Sequence, residues 1–272
     1  MTVPSSLVSR FPFPGSGRVL VTGSVAFDYL MTFPGRFVEH LIPDRLSRLS
    51  VSFLVDQMRL VPGGCAANIA YGLALLGETP LLLAAAGRDA AEYRERLGKE
   101  GVDVSGFVLH PDLFTASFFV STDRDQNQLA SFYTGAMARA RELSIPALDH
   151  SGIALAVISP NDPAAMARYA DECRQMRIRF LYDPSQQVAR LSGEELREGL
   201  AGASILVVND YEFGILTQKT GLSRQELEGI VFALVVTHGP EGSTISVSTE
   251  GGSRARHEIS AAVLEREAID PT

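Results

Sequence analysis

Cysteine is scarce in this sequence of 272 residues: Cys65 and Cys173 are the two present, far apart, with no C-x-x-C pair and no histidine cluster beside either. That argues against a disulfide framework and a cysteine-based zinc site. It leaves two buried or half-buried thiols, in keeping with a reducing cytoplasm. Positive charge is in the minority. Lys+Arg number 24 against 32 Asp+Glu, a net charge of −8, and no basic block breaks the balance, which argues against nucleic acid as a partner. A small anionic ligand stays open, because backbone N–H groups bind anions even on an acidic protein. No apolar run reaches the roughly 18 residues that a membrane-spanning helix needs. Residues 1–17 lack the apolar core of a signal peptide, end in Gly15-Ser16-Gly17, and read as a flexible N-terminal extension. Internal repeats and low-complexity tracts are missing too. So are G-x-x-x-x-G-K-[ST], G-x-G-x-x-G, G-x-S-x-G and H-E-x-x-H, which sets aside P-loop NTPases, dinucleotide oxidoreductases, α/β-hydrolases and zincins.

What is present is a globular composition, 46 % hydrophobic and 21 % charged, which excludes a disordered chain. The length suits one large domain with a smaller appendage as well as two equal domains. Val19 to Ser24 read as a short apolar strand stopped by a Gly-Ser turn, with Asp28 just past its carboxyl end. That is the edge where ligands bind in open α/β sheets, although Asp28 also suits a plain turn or cap. Further strands are expected at 81–86, 153–159, 178–182, 205–208 and 234–237. Helices are expected from the glycine pair at 63–64 to Leu76, over 163–176, over 192–201 with Ser192 and Glu195 at capping-box spacing, and over 223–232. This alternation predicts a parallel sheet covered by helices on both faces. Two strand-like regions without helices, Val51–Val55 in the first and Thr115–Ser121 with Gln128–Tyr133 in the second, predict a small separate sheet.

Three local motifs could carry chemistry. Gly63-Gly64 opens a helix, where the missing Cβ atoms and unpaired N–H donors admit a ligand, and Asn68 lies one turn on; a tight turn with a buried Asn explains the same residues. Asn209 and Glu212 share a face at a helix start and suit water-mediated Mg²⁺ and phosphate contacts, or a simple capping pair. Thr237-His238-Gly239-Pro240-Glu241-Gly242 follows a strand and either cradles phosphates or turns a hairpin into the alternating Ser243–Ser248; His238 reads as incidental.

Taken in order, the strand near Asp28, Gly63-Gly64 with Asn68, Asn209-x-x-Glu212 and Thr237-x-Gly-x-x-Gly242 resemble the ribokinase-like family of sugar and nucleoside kinases, from Val19 to the last residue. The stretches Phe33–Phe37, Ser52–Asp56, Ala130–Tyr133, Gly135–Met137, Asn161–Pro163 and Asp183–Gln187 to Gly193–Glu195 are similar to the actinobacterial adenosine kinases within it.

The resemblance implies an α/β fold of ribokinase-like type over 18–272, a central mostly parallel sheet with helices on both faces. Lid segments at about 29–60 and 110–135 would form a small β lid. It implies that Asp28 holds the ribose hydroxyls beside Ser24, Gly63 and Gly64, with Asn68 completing the contacts. Ser52, Phe118 and Phe132 would enclose the purine, where flat rings gain from stacking, and Gln186 and Gln187 would lie near the base or ribose. ATP would meet Asn209, Thr237, Gly239 and Gly242, and Glu212 would organise Mg²⁺. A cytoplasmic homodimer through the lid is also implied, and exposed strand edges are a physical reason for one.

The family sets its catalytic Asp in a G-A-G-D-type motif directly after a D-T/P-T segment, and this sequence ends at Asp270-Pro271-Thr272. The resemblance therefore places the base beyond Thr272, with none assigned within the chain. The activity it implies is ATP-dependent phosphorylation of adenosine at the 5′-hydroxyl to AMP. A ribose- or fructose-type sugar kinase and a non-catalytic nucleoside-binding protein are the alternatives.

Overall fold

The computed structural model describes residues 17–41, 50–249 and 252–262. Residues 1–16 of the expected extension and the Asp270-Pro271-Thr272 end lie outside the described residues. The chain divides into two units: Val21–Leu143, and the residues up to Leu20 together with those from Ser144 onward. Strand β1 (Arg18–Thr22) carries the sequence across that division.

In Val21–Leu143 the strands are β2 (Ala26–Thr32), β3 (Gln57–Gly63), β4 (Leu81–Gly87), β5 (Phe107–His110), β6 (Ala116–Thr122) and β7 (Gln128–Tyr133). Its helices are α1 (Phe37–His40), α2 (Cys65–Leu75) and α3 (Ala91–Lys99). The apolar β4 is buried along its whole length and pairs in parallel with β5, as an uninterrupted apolar run favours. A separate sheet has the order β3-β2-β6-β7. In it β2 runs antiparallel to β3 and parallel to β6, and β7 returns antiparallel to β6.

The small sheet expected from the sequence is therefore present, with different borders. Val51–Val55, expected as a strand, has no regular structure. Phe53 turns its ring into a cluster with Phe33 and Phe37, 5.1 and 4.8 Å away between centroids, so the segment follows a side-chain anchor and not a neighbouring strand. Backbone pairing begins at Asp56, whose N–H donates to the Thr32 carbonyl at 3.1 Å. The helix expected from the glycine pair starts at Cys65, because Val61 to Gly63 extend β3 along Ala26 to Asp28. Pro62 is tolerated there since β3 is an edge strand.

From Ser144 onward the strands are β8 (Ile153–Ile158), β9 (Phe180–Tyr182), β10 (Ile205–Asn209), β11 (Ala233–Thr237), β12 (Ser243–Ser248) and β13 (Arg254–Ile259). The helices are α4 (Pro163–Met176), α5 (Gly193–Leu200), α6 (Asp210–Thr220) and α7 (Arg224–Ile230). β8, β9, β10 and β11 are successive parallel neighbours, and β12 and β13 complete the row antiparallel. The expected mostly parallel α/β architecture is thus found. Helix starts are fixed chemically: Asp162 accepts the Ala165 N–H with Pro163 in first position, and Ser192–Glu195, Asn209–Glu212 and Ser223–Glu226 form reciprocal capping boxes. The core of this unit centres on buried Tyr169, Phe180, Tyr182, Leu206 and Leu234. Among the described residues, no helix is long and apolar enough to cross a membrane.

Candidate active site

Register in the small sheet lines up three of the sequence-predicted side chains. Asp28 of β2 lies opposite Val61 of β3 on one side and Phe118 of β6 on the other, and Phe118 lies opposite Phe132 of β7. Residues directly opposite in paired strands project from the same face. One face therefore carries a carboxylate followed by two aromatic rings. Asp28 and Phe118 are half-buried and Phe132 is 46 % exposed. The opposite face holds Tyr29 stacked on Phe119, centroids 4.6 Å apart.

Where β3 runs into α2, the glycine pair meets this row. A Cβ on Gly63 would lie 2.5 Å from Asp28 Oδ2, and one on Gly64 would lie 2.6 Å from the Ser24 carbonyl oxygen. Gly64 also has φ +97°, a conformation that side chains resist. Ser24 is buried, and it occupies the helix start: its Oγ accepts the Cys65 N–H at 3.0 Å and its carbonyl accepts the Ala66 N–H at 3.1 Å. Two donors that the sequence left available to a ligand are therefore taken up inside the protein. Asn68 is exposed in the first turn of α2. Ser52 is exposed in the irregular segment before β3.

Tyr93 of α3 was not foreseen. Its hydroxyl donates to the Gly63 carbonyl at 3.1 Å. Burial pushes its phenol up to about 12, with Arg96 opposing and the Asp28 charge reinforcing the rise. No sequence spacing links Tyr93 to Gly63; only the fold brings them together.

In the unit from Ser144 onward, the carboxyl ends of the parallel strands gather the remaining candidates. Asn209 and Thr237 are register partners at the ends of β10 and β11. Asn209 and Glu212 form the capping pair: the Asn209 N–H donates to Glu212 Oε2 at 2.8 Å and the Glu212 N–H donates to Asn209 Oδ1 at 2.7 Å. Glu212 Oε1 also accepts from the Ser185 hydroxyl at 3.3 Å. Asp183, which follows β9 and was quoted in the sequence without a role, faces the same charge. Burial, with the Glu212 carboxylate adding to it, pushes Asp183 up to about 7 against a backbone N–H from Ser185. Two mutually repelling carboxylates are a donor set that fits Mg²⁺, a hard cation that keeps waters and shares phosphate oxygens. No group of three or more metal-ligating side chains occurs among the described residues, so a closed protein cage for a metal is absent there.

Gln186 and Gln187 part company: Gln186 is exposed, while Gln187 is buried and its Nε2 donates to the Asn161 carbonyl at 2.9 Å. Gln187 Oε1 and Asn161 Nδ2 are buried with no hydrogen-bond partner among the described residues. Such groups are costly to leave unpaired. Asn161 follows β8 at the same strand edge, a position the sequence could have flagged. In the turn after β11, Gly239 faces open space. A Cβ on Gly242 would overlap the Ile259 carbonyl, so packing onto the end of β13 accounts for that glycine. His238 bonds Thr244 at 3.0 Å and its N–H donates to the Gly242 carbonyl, which makes it a turn anchor. Cys65 is half-buried and Cys173 is buried, its thiol pushed up to about 12 by burial.

Residues 22–272 match the family described as pfkB family carbohydrate kinase. A nucleoside kinase of Methanothermobacter thermautotrophicus is 30 % identical over 257 residues, 93 % of this chain and 77 % of that protein. An ATP-dependent ribose-1-phosphate kinase of Halopiger xanaduensis is 28 % identical over 243 residues, 85 % of this chain and 74 % of that protein. The solved structure of Burkholderia thailandensis nucleoside kinase in complex with ADP-inosine matches with a TM-score of 0.75 at 36 % identity, over 91 % of this chain and 76 % of that one.

Proposed function

We propose that this chain, which belongs to the pfkB family of carbohydrate kinases, is an ATP-dependent purine nucleoside kinase that phosphorylates the 5′-hydroxyl. The observation that carries this is the row Asp28–Phe118–Phe132 on one face of the small sheet. A carboxylate accepts two ribose hydroxyl protons through charge-assisted hydrogen bonds, and adjacent rings offer a flat base a stacking surface. Adenosine, the substrate implied by the sequence, and inosine, held by the Burkholderia thailandensis relative, both present such a base.

Ser24, Gly63 and Gly64 shape the backbone around Asp28, and Asn68 and Ser52 complete the nucleoside contacts. Asn209, Thr237 and Gly239 contact ATP. Glu212 together with Asp183 holds Mg²⁺, which when bound neutralises phosphate charge. In-line phosphoryl transfer needs positioning and charge neutralisation above all, and the small sheet acts as a lid that excludes water. The opposite lid face exposes Met58, Leu60, Phe119, Leu129 and Tyr133, and a second copy covering them gives a homodimer, testable by sedimentation.

The deciding experiment supplies ATP and Mg²⁺ with adenosine, inosine, ribose or ribose 1-phosphate and identifies products by mass spectrometry. Nucleoside 5′-monophosphates support the proposal. Sugar phosphates alone replace it with a sugar kinase, and nucleoside binding without transfer replaces it with a nucleoside-binding protein.

A further inference from the structure

We infer that Asp123, at the tip of the small sheet, is a positioning residue that fixes the Ser52 arm of the nucleoside site. The inference rests on the nucleoside reading of that site. Asp123 sits in the β6–β7 turn and is 2 % exposed. Its Oδ1 accepts the N–H groups of Asp125 and Asn127, each at 2.9 Å, and its Oδ2 accepts the Phe37 N–H at 2.9 Å. The Asn127 side-chain amide lies 3.3 and 3.2 Å from the two oxygens. One carboxylate thus closes its own turn and grips the first residue of α1. Three further ties join the same two stretches: Arg124 N–H to the Gly35 carbonyl at 3.1 Å, Phe33 N–H to the Thr122 carbonyl at 2.8 Å, and Arg36 to Asp125 at 3.1 Å.

The grip is passed on through rings. Phe37, held by Asp123, stacks on Phe33 at 5.3 Å and meets Phe53 edge-on at 4.8 Å. Phe53 is the neighbour of Ser52 in a segment without regular structure. With no ladder to hold that segment, the seating of Phe53 decides where Ser52 stands. Asp123, Asp125 and Asn127 have the D-x-D-x-N spacing of a calcium loop. Here, however, N–H donors take up Asp123 and the Arg36 guanidinium occupies Asp125, so the loop does a clamp's work.

The test compares wild type with Asp123→Asn and Phe53→Ala. Asp123→Asn keeps the shape but turns one acceptor into a donor facing N–H groups. Calorimetry should show adenosine binding weakened up to about tenfold in both variants, the scale of one lost hydrogen bond from Ser52, with ATP binding within about twofold of wild type. Combining the substitutions should add little, because they act through one chain of contacts. Hydrogen exchange over residues 50–56 should quicken in Asp123→Asn whether or not ligand is present. Unchanged adenosine affinity with only a lower melting temperature would make Asp123 a structural residue and overturn the inference, as would equal losses for adenosine and ATP. Should Asp123→Asn fail to fold, Phe53→Ala and Arg36→Ala carry the same comparison. Should the wild type bind no nucleoside, the functional reading fails, and exchange over 50–56 still decides whether Asp123 holds the arm.

Discussion

The carboxylate of Asp28 occupies the space that a side chain on Gly63 would need, with Oδ2 only 2.5 Å from where a Cβ would stand. The glycine and the acid are thus two halves of one feature. Gly64 is glycine for a different reason, its φ of +97° and its closeness to the Ser24 carbonyl.

Gly63→Ala and Gly64→Ala should therefore fail in different ways. Gly63→Ala displaces Asp28 and should weaken adenosine binding with a modest change in melting temperature. Gly64→Ala adds backbone strain of about 1–3 kcal/mol to a backbone clash and should lower the melting temperature clearly. Thermal melts and calorimetry on both variants check this; the opposite pattern would break the link from Gly63 to Asp28.

Asp28→Asn keeps the size of the side chain and removes its charge. Hydrogen bonds to a charged group contribute roughly 1.5–3 kcal/mol, so adenosine affinity should fall and discrimination against 2′-deoxyadenosine should nearly vanish. A preserved preference for ribose would place the sugar elsewhere.

Phe132→Ala should cost purine nucleosides about 1–3 kcal/mol of binding, the scale of one base–aromatic stack, and leave ATP binding nearly unchanged. Because Phe132 is 46 % exposed, folding stability should hardly move. Equal losses for both ligands would contradict the stacking role.

Asp183 ties stability to pH. Its folded-state value is raised from 3.8 to about 7, so between those limits the folded chain keeps a proton that the unfolded chain has released. Stability contributed there is present at low pH and lost as pH rises through about 7. Asp183→Asn should flatten this dependence and raise the melting temperature at pH 8 relative to pH 5. In wild type, Mg²⁺ should restore stability at pH 8 by neutralising the pair. Melts at both pH values, with and without Mg²⁺, test it, and an unchanged slope in the variant would rule out Asp183 as the source.

Much of this was legible in the sequence where the physics is local. Pro163–Met176 and Gln128–Tyr133 fall where expected, and the Ser192–Glu195 spacing forms the capping box it predicts, because caps and periodicity act over a few residues. Val51–Val55 was misjudged because Phe53 answers to Phe33 and Phe37, partners that only the fold supplies. The charged helix Ala91–Lys99 buries only Tyr93 and Leu97, and the strand Arg254–Ile259 has no buried residue, so neither offers the apolar run that marks an element in the sequence. In the site, the resemblance named Asp28 for the ribose and Phe118 with Phe132 for the base, yet their common row depends on strand register. Tyr93 enters through tertiary contact alone; Gln187 was named from the resemblance, and the fold adds its bond to the Asn161 carbonyl.

Selection of a nucleoside by the Asp28–Phe118–Phe132 row is tested most directly by calorimetric titration of the chain with adenosine, inosine and ribose. Both nucleosides should bind about five- to 150-fold more tightly than ribose, the range that one base–aromatic stack of about 1–3 kcal/mol supplies. Ribose binding as tightly as adenosine would contradict the account, because Phe118 and Phe132 would then contribute nothing to recognition.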